Sequence, residues 1–140
     1  MSRLIKIYTD GSSIGNPGPG GYGIVMLSDN EGYKKEFSQG FNLTTNNRME
    51  LLAVIVALEK IKIKNSKVKV YTDSKYVSDA VEKGWLFNWV KKDFKNKKNP
   101  DLWRRFLRIY NDHEVKFQWV KGHNNDFYNM TLIWLFHSFL

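Results

Sequence analysis

Two aspartates sit in nearly the same local sequence: Asp10 in Tyr8-Thr9-Asp10-Gly11-Ser12 and Asp73 in Tyr71-Thr72-Asp73-Ser74. Each follows a short alternating run, residues 5–9 and 67–72, of the kind that forms a half-buried strand. If those strands are parallel neighbours, both carboxylates emerge on one rim. The carboxyl ends of strands are where open α/β sheets gather their ligands. Glu50 lies in the first turn of an apolar helical stretch that can aim at the same rim. Three carboxylates gathered there repel one another unless a cation joins them. An all-oxygen set suits Mg²⁺, which keeps waters available for chemistry on phosphates.

Each residue also has a plainer explanation. Asp10-Gly11 is a common turn pair, Asp73 or Ser74 is a good N-cap, and Asn47-Arg48-Met49-Glu50 has the pattern of a capping box. Taken together, in a small chain with a basic aromatic segment, the metal site is the stronger reading. His123, in the loop at 121–126, becomes a proton shuttle if that loop reaches the rim, since a free imidazole titrates near pH 6.5. Asn16, Asn46 and Asn47 offer donors and acceptors for sugar hydroxyls and base edges in a minor groove. Gly11, Gly20 and Gly21 permit close backbone approach to a ligand.

These residues belong to a chain of 140 residues carrying a formal +8. At about 150 residues per domain, that is one domain. The absence of cysteine removes disulfides, thiolate zinc sites and cysteine nucleophiles, and is compatible with a reducing compartment. The start has no apolar targeting region, and no stretch approaches the roughly 20 apolar residues of a membrane span. A cytoplasmic location is expected.

The charge is local. Residues 83–108 hold nine basic side chains against Asp93 and Asp101, a net +7, leaving +1 for the rest. Trp85, Phe87, Trp89, Phe94 and Trp103 interleave them. Lysines attract phosphates, and exposed aromatics pack on sugars or bases. The lysine cluster points to nucleic acid; for the aromatics, a core-facing helix stripe is the favoured reading.

The elements that must position these groups follow from patterning. Strands are expected at 5–9, 22–28, 33–41, 67–72 and 115–119, with a rigid Gly/Pro loop at 10–21 and a turn at 29–32. Residues 44–47 start a helix that is apolar nearly all round, hence central. Shorter helices follow Asp73-Ser74, at 85–90, and at 100–110 with Pro in the first turn. Three strands followed by alternating helices and strands predict a mixed sheet with helices on its faces.

Five motifs in this order resemble a known family. Tyr-Thr-Asp-Gly-Ser at 8–12, Gly-Asn-Pro-Gly-Pro-Gly-Gly at 15–21, Thr-Thr-Asn-Asn-Arg-Met-Glu-Leu at 44–51, Thr-Asp-Ser at 72–74 and Trp-Val-Lys-Gly-His at 119–123 are similar to type 1 ribonuclease H of the bacterial kind. The resemblance covers residues 4–129. It implies an α/β fold with a five-stranded mixed sheet, the first three strands antiparallel, flanked by helices. It implies endonucleolytic cleavage of the RNA strand of RNA–DNA hybrids, leaving 5′-phosphate and 3′-hydroxyl ends, by a monomer using two Mg²⁺ or Mn²⁺ ions.

By the same matching, Asp10, Glu50 and Asp73 are catalytic metal ligands and His123 assists proton transfer or product release. Asn16, Asn46 and Asn47 touch the hybrid's minor groove and Thr45 a DNA-strand phosphate. Ser74 is assigned to substrate binding. Trp85, Trp89, Lys91, Lys92, Lys95, Lys97 and Lys98 match a basic protrusion that grips the hybrid, a few residues shorter than in the long-handled members.

The departure comes after Asn129. The family pattern places Glu next and a fourth catalytic Asp three residues later; here these are Met130 and Ile133. Residues 130–140 are apolar apart from His137 and a few small polar side chains, and read as a changed reading frame, a truncated version or a diverged apolar helix. Residues 1–129 are therefore the expected nuclease domain and 130–140 an atypical end. Asp126 is the alternative fourth ligand. Activity reduced by the missing carboxylate is the expectation. A non-catalytic hybrid-binding module is the alternative, and a sequence-specific DNA-binding domain is disfavoured because no helix has the required spacing.

Overall fold

The computed structural model describes residues 4–28 and 33–121. Strands β1 (Leu4–Ser13), β2 (Gly18–Ser28) and β3 (Tyr33–Thr44) precede helix α1 (Asn46–Glu59). Strand β4 (Lys67–Thr72), helices α2 (Lys75–Glu82), α3 (Trp85–Lys91) and α4 (Pro100–Tyr110), and strand β5 (Glu114–Trp119) follow. The sheet order is β3-β2-β1-β4-β5. β1–β2 and β2–β3 pair antiparallel, whereas β1–β4 and β4–β5 pair parallel. This is the expected mixed sheet, and it carries two consequences for the site.

First, β1 and β4 are parallel neighbours with Tyr8 opposite Tyr71. Two residues further along, Asp10 and Asp73 leave the same end of the sheet. Second, the expected loop at 10–21 is mostly ladder. β1 runs on to Ser13 and β2 begins at Gly18, with Asp10 opposite Gly23 and Ser13 opposite Gly20. Asp10 therefore stands inside a strand rather than beyond it. The glycines that read as loop punctuation mark close approach instead. A Cβ on Gly20 would sit 2.4 Å from the Ser12 carbonyl oxygen, and one on Gly11 2.6 Å from the Met49 carbonyl carbon. β3 likewise extends past the expected end to Thr44.

Helix α1 starts where its cap dictates. Thr45 is extended, and its hydroxyl accepts from the Arg48 amide at 3.2 Å, the role expected of an N-cap threonine. Glu50 is thus no capping-box partner and is free to act elsewhere. The helix buries Met49, Leu51, Ala53, Val54, Ile55, Ala57 and Leu58 against β1, β2 and α4. Its buried flanks on several sides make it the central helix. Trp103 and Phe106 of α4 complete the core, and Trp103 meets Trp89 edge-on at 5.9 Å.

Below β5, buried His113 accepts from the Ser66 amide through Nδ1 at 3.3 Å. Burial holds this imidazole below its ordinary value of 6.5, against the pull of Asp112. Because the folded state disfavours the proton, the unfolded chain takes it up first on acidification. The stability this group contributes is present above about pH 6.5 and is lost as pH falls through the folded value. Urea titrations across this range will show that fall, and His113→Gln will flatten it.

Candidate active site

Asp10 within β1, Asp73 just past β4 and Glu50 at the start of the second turn of α1 come together. Asp10, Glu50 and Asp73 each offer an oxygen, and these atoms all lie within 4.8 Å of one another. Asp10 and Asp73 are half-buried and Glu50 is buried. Glu50 Oε1 has no hydrogen-bond partner in its buried position. Burial pushes the Glu50 carboxyl well above the usual range. A hydrogen bond with Asp73 and the charges of Asp73 and Asp10 push the same way, while the Gly11 amide opposes them.

An orphaned buried oxygen and three mutually repelling carboxylates fit a hard divalent cation. Such an ion would supply the missing partner and the compensating charge. Carboxylate oxygens favour Mg²⁺, Ca²⁺ or Mn²⁺ over softer metals. The convergence expected from the repeated Tyr-Thr-Asp is therefore present in the fold. Ser74 follows as the N-cap of α2, its hydroxyl accepting from the Val77 amide at 3.2 Å.

Beside the carboxylates, the β1–β2 connection is tied to α1. Asn46 Oδ1 accepts from the Ser13 amide at 2.6 Å and from the Ser12 and Ser13 hydroxyls at 3.2 Å each. The Asn46 amide donates to Asn16 Oδ1 at 3.1 Å. Asn16, Asn46 and Asn47 are all exposed, and these bonds tie Asn16 and Asn46 to one another. The Nδ2 hydrogens of Asn46 are not spent on these contacts. Ser12 ends the Tyr-Thr-Asp-Gly-Ser motif, but nothing in the sequence ties Ser12 or Ser13 to Asn46. Their partner lies 33 residues or more away, and no local pattern announces it.

The basic segment divides in two. Arg105 forms a two-pronged pair with Glu59 at 2.8 and 2.6 Å, and Arg104 pairs with Asp93 at 2.8 Å. Lys91, Lys92, Lys95, Lys97 and Lys98 are exposed, with no ion pair among the described residues. Lys83 also pairs, with Asp79 at 3.6 Å, so the outward charge of the window is narrower than the sequence suggests: the lysines of 91–98 and exposed Arg108. Trp85 is exposed beside Lys83, whose ammonium lies 5.3 Å from its ring centroid. Trp89 instead packs on Trp103, and Lys97 lies 5.2 Å over its ring. Phe94 and Trp103 are core residues.

A polar network joins this segment to α1. Arg48 donates to both Asp101 oxygens at 3.1 and 2.8 Å and to Asn99 Oδ1 at 3.1 Å. The hydrogen bond to Arg48 holds the Asp101 carboxyl below its usual range. Asn99 and the Trp103 indole both donate to the Tyr76 hydroxyl, at 3.1 and 2.9 Å. Arg48 and Asp101 are 53 residues apart, which hides the pair from sequence inspection. His123, Asp126 and the atypical end from Met130 lie outside the described residues.

Residues 2–132 match the family model described as RNase H. The chain is 54% identical over 130 residues to a curated ribonuclease H of Trichodesmium erythraeum, covering 89% of this chain and 81% of the relative. It is 57% identical over 126 residues to that of Desulforamulus reducens, covering 86% and 77%. Among solved structures, LC9-RNase H1, a type 1 enzyme with a type 2 active-site motif, superposes with a TM-score of 0.87 at 30% identity. That match covers 99% of this chain and 72% of the other. LC11-RNase H1 in complex with an RNA/DNA hybrid matches with a TM-score of 0.71 at 26% identity, over 96% and 94%.

Proposed function

The chain belongs to the ribonuclease H family, and from that membership we propose how it cuts the RNA strand of an RNA–DNA hybrid. The observation that carries the reading is the cluster of Asp10, Glu50 and Asp73, with oxygens within 4.8 Å and Glu50 Oε1 buried without a partner. These three residues would hold the two divalent ions, Mg²⁺ or Mn²⁺. Bound there, the ions supply Lewis-acid charge at the scissile phosphate and a water of lowered pKa. The products carry 5′-phosphate and 3′-hydroxyl ends.

The remaining residues bind and orient. Asn16, Asn46 and Asn47 face the minor groove, where 2′-hydroxyls distinguish RNA from DNA. Thr45 donates its hydroxyl proton to a DNA-strand phosphate while its oxygen caps α1. Ser74 sits at the substrate edge. His123 moves a proton or speeds product release. Trp85 and Trp89, with Lys91, Lys92, Lys95, Lys97 and Lys98, grip the duplex beyond the site. Their charge is diffuse, so they govern affinity rather than the chemical step. Lys95→Ala, Lys97→Ala and Lys98→Ala combined will raise KM for the hybrid and leave kcat unchanged. The slope of log K against log salt will fall by about one for each phosphate that the lysines no longer neutralise, as read by fluorescence anisotropy.

We assign residues 1–129 to the nuclease domain and 130–140 to an atypical end of it. Ile133 stands where the family pattern carries a fourth metal-binding Asp, so the rate is reduced. Ile133→Asp, with Met130→Glu, will raise turnover on a hybrid duplex on the order of tenfold or more, because a restored ligand orders the metal site. Turnover equal to that of the unaltered chain removes the impairment from this account. Protein operating as a monomer in the cytoplasm completes the reading.

The test of the function is a gel assay on a hybrid with labelled RNA. RNA cleavage that needs Mg²⁺ or Mn²⁺ supports the reading. Binding without any cleavage would instead make the chain a hybrid-binding module.

A further inference from the structure

The carbonyl of Asp73 falls between two regular hydrogen-bond systems. On its N-terminal side the Thr72 carbonyl accepts from the Val120 amide at 2.9 Å, which extends the β4–β5 ladder. On its C-terminal side the Ser74 carbonyl accepts from the Ser78 amide at 3.0 Å, the first bond of α2. Neither system supplies a donor to Asp73 itself, and a main-chain acceptor takes one from the protein or from water. The indole N–H of Trp119 fills the gap, donating to the Asp73 carbonyl oxygen at 3.0 Å.

The surroundings favour a bonding role over a packing one. Val115 and Phe117 put the same face of β5 into the core, but Trp119, two residues on, is 39% exposed. A large aromatic held half in water contributes less burial than a core residue. Its ring carries the Lys75 ammonium 4.7 Å from the centroid, which adds a second attachment to the start of α2. Thr72 Oγ1 accepts from the Ser74 amide at 3.1 Å, and Ser74 caps α2. The 73–74 peptide is thus pinned from both sides, its carbonyl by the Trp119 indole and its N–H by the Thr72 hydroxyl.

We propose that Trp119 is a positioning residue for Asp73, its indole N–H fixing the 73–74 peptide plane and so the direction in which the Asp73 carboxylate meets Glu50 and Asp10. The inference rests on the reading of Asp73 as a metal ligand. Groups that orient a ligand typically change metal affinity or activity by about 10–100-fold when removed. Trp119→Phe keeps an aromatic ring and deletes the N–H. Calorimetric titration of the free protein with Mn²⁺ will show affinity weakened by about tenfold. In turnover, kcat will fall at limiting metal and recover as metal is raised, with KM for the hybrid unchanged.

A role in packing alone would lower Tm and leave the Mn²⁺ affinity and the metal dependence of kcat at their original values; that result overturns the proposal. Benzothienylalanine at position 119, which replaces the N–H by sulfur in a ring of the same shape, gives the same reading if Trp119→Phe folds poorly. Asp73→Asn separates the positioning role from the metal-ligand reading beneath it. If Asp73→Asn loses Mn²⁺ binding and the Trp119 variants do not, the positioning role fails. If Asp73→Asn itself binds Mn²⁺ normally, the metal-ligand reading fails first.

Discussion

Asp10→Asn is expected to lower the rate of hybrid cleavage by about a thousandfold or more, while hybrid binding stays at least as tight. The loss is large because the three carboxylates offer oxygens within 4.8 Å of one another, and the substitution removes one of the charges that would hold the ions. The amide is the same shape, and Gly11, whose amide donates to Asp10 Oδ1 at 2.9 Å, keeps an oxygen acceptor. Binding survives because phosphate contacts dominate affinity and the exposed lysines of 91–98 are untouched.

The same substitution stabilises the metal-free protein. The charge of Asp10 is one of the causes that raise Glu50 above its usual range, so removing it relieves repulsion in the folded state. In EDTA, Tm will rise by a few degrees, which corresponds to about 1 kcal/mol in a chain of this size. In saturating Mg²⁺ the difference will shrink or reverse, because the ion stabilises the unaltered protein by mass action. A site that destabilises the fold when empty of metal and stabilises it when filled is the thermal signature of a functional carboxylate cluster.

Gly11→Ala carries the second large effect. A Cβ there would lie 2.6 Å from the Met49 carbonyl carbon, 2.8 Å from the Glu50 amide nitrogen and 2.8 Å from Met49 Cβ. Two of the three are backbone atoms of the first turn of α1, which cannot swing aside as a side-chain tip can. The helix must therefore back away from β1. Overpacking of this kind typically costs about 1–3 kcal/mol. The movement also separates Glu50 from Asp10, so stability and chemistry fall together. Urea unfolding will show the loss of stability, and kcat measured well below the melting range will drop by on the order of a hundredfold. Gly15→Ala is a useful contrast: its φ of +81° makes the substitution strained, yet its nearest neighbour is the Pro17 carbonyl and not α1.

Much of the site is readable from residue types and spacing. The repeated Tyr-Thr-Asp is informative because each copy follows an alternating strand, and the two strands are parallel neighbours with Tyr8 beside Tyr71. The elements with strong local signals have their full expected length: β4 at Lys67–Thr72, and α4 at Pro100–Tyr110 with its leading proline. The glycine-rich stretch after Asp10 reads as loop, yet forms strand, because glycine serves two purposes. It makes turns, and it lets ladders run beneath a closely packed helix, as Gly11 does beneath Met49. Sequence spacing cannot separate these.

Other parts are illegible for a different reason. The Asn46–Ser13 bond, the Arg48–Asp101 pair and the Trp119–Asp73 bond join residues 33, 53 and 46 positions apart. Each depends on the final arrangement of elements, and no periodicity encodes it. The sequence locates the charge of the basic segment but overstates its outward part. Arg104, Arg105 and Lys83 pair with Asp93, Glu59 and Asp79, leaving the lysines of 91–98 and Arg108 as the outward charge. The aromatics split as well, with Trp103 and Phe94 in the core and Trp85 facing solvent.

In the proposed reaction, Asp10, Glu50 and Asp73 form the metal-dependent centre that cuts RNA in a hybrid. The most direct measurement follows a duplex with different labels on its RNA and DNA strands, incubated with the protein in EDTA, in Mg²⁺, and in Mg²⁺ with Asp10→Asn. RNA fragments with extendable 3′-hydroxyl ends are expected in Mg²⁺ alone, with the DNA strand intact throughout. RNA cleavage of equal rate in EDTA, or in Asp10→Asn with Mg²⁺, would contradict the proposed reaction.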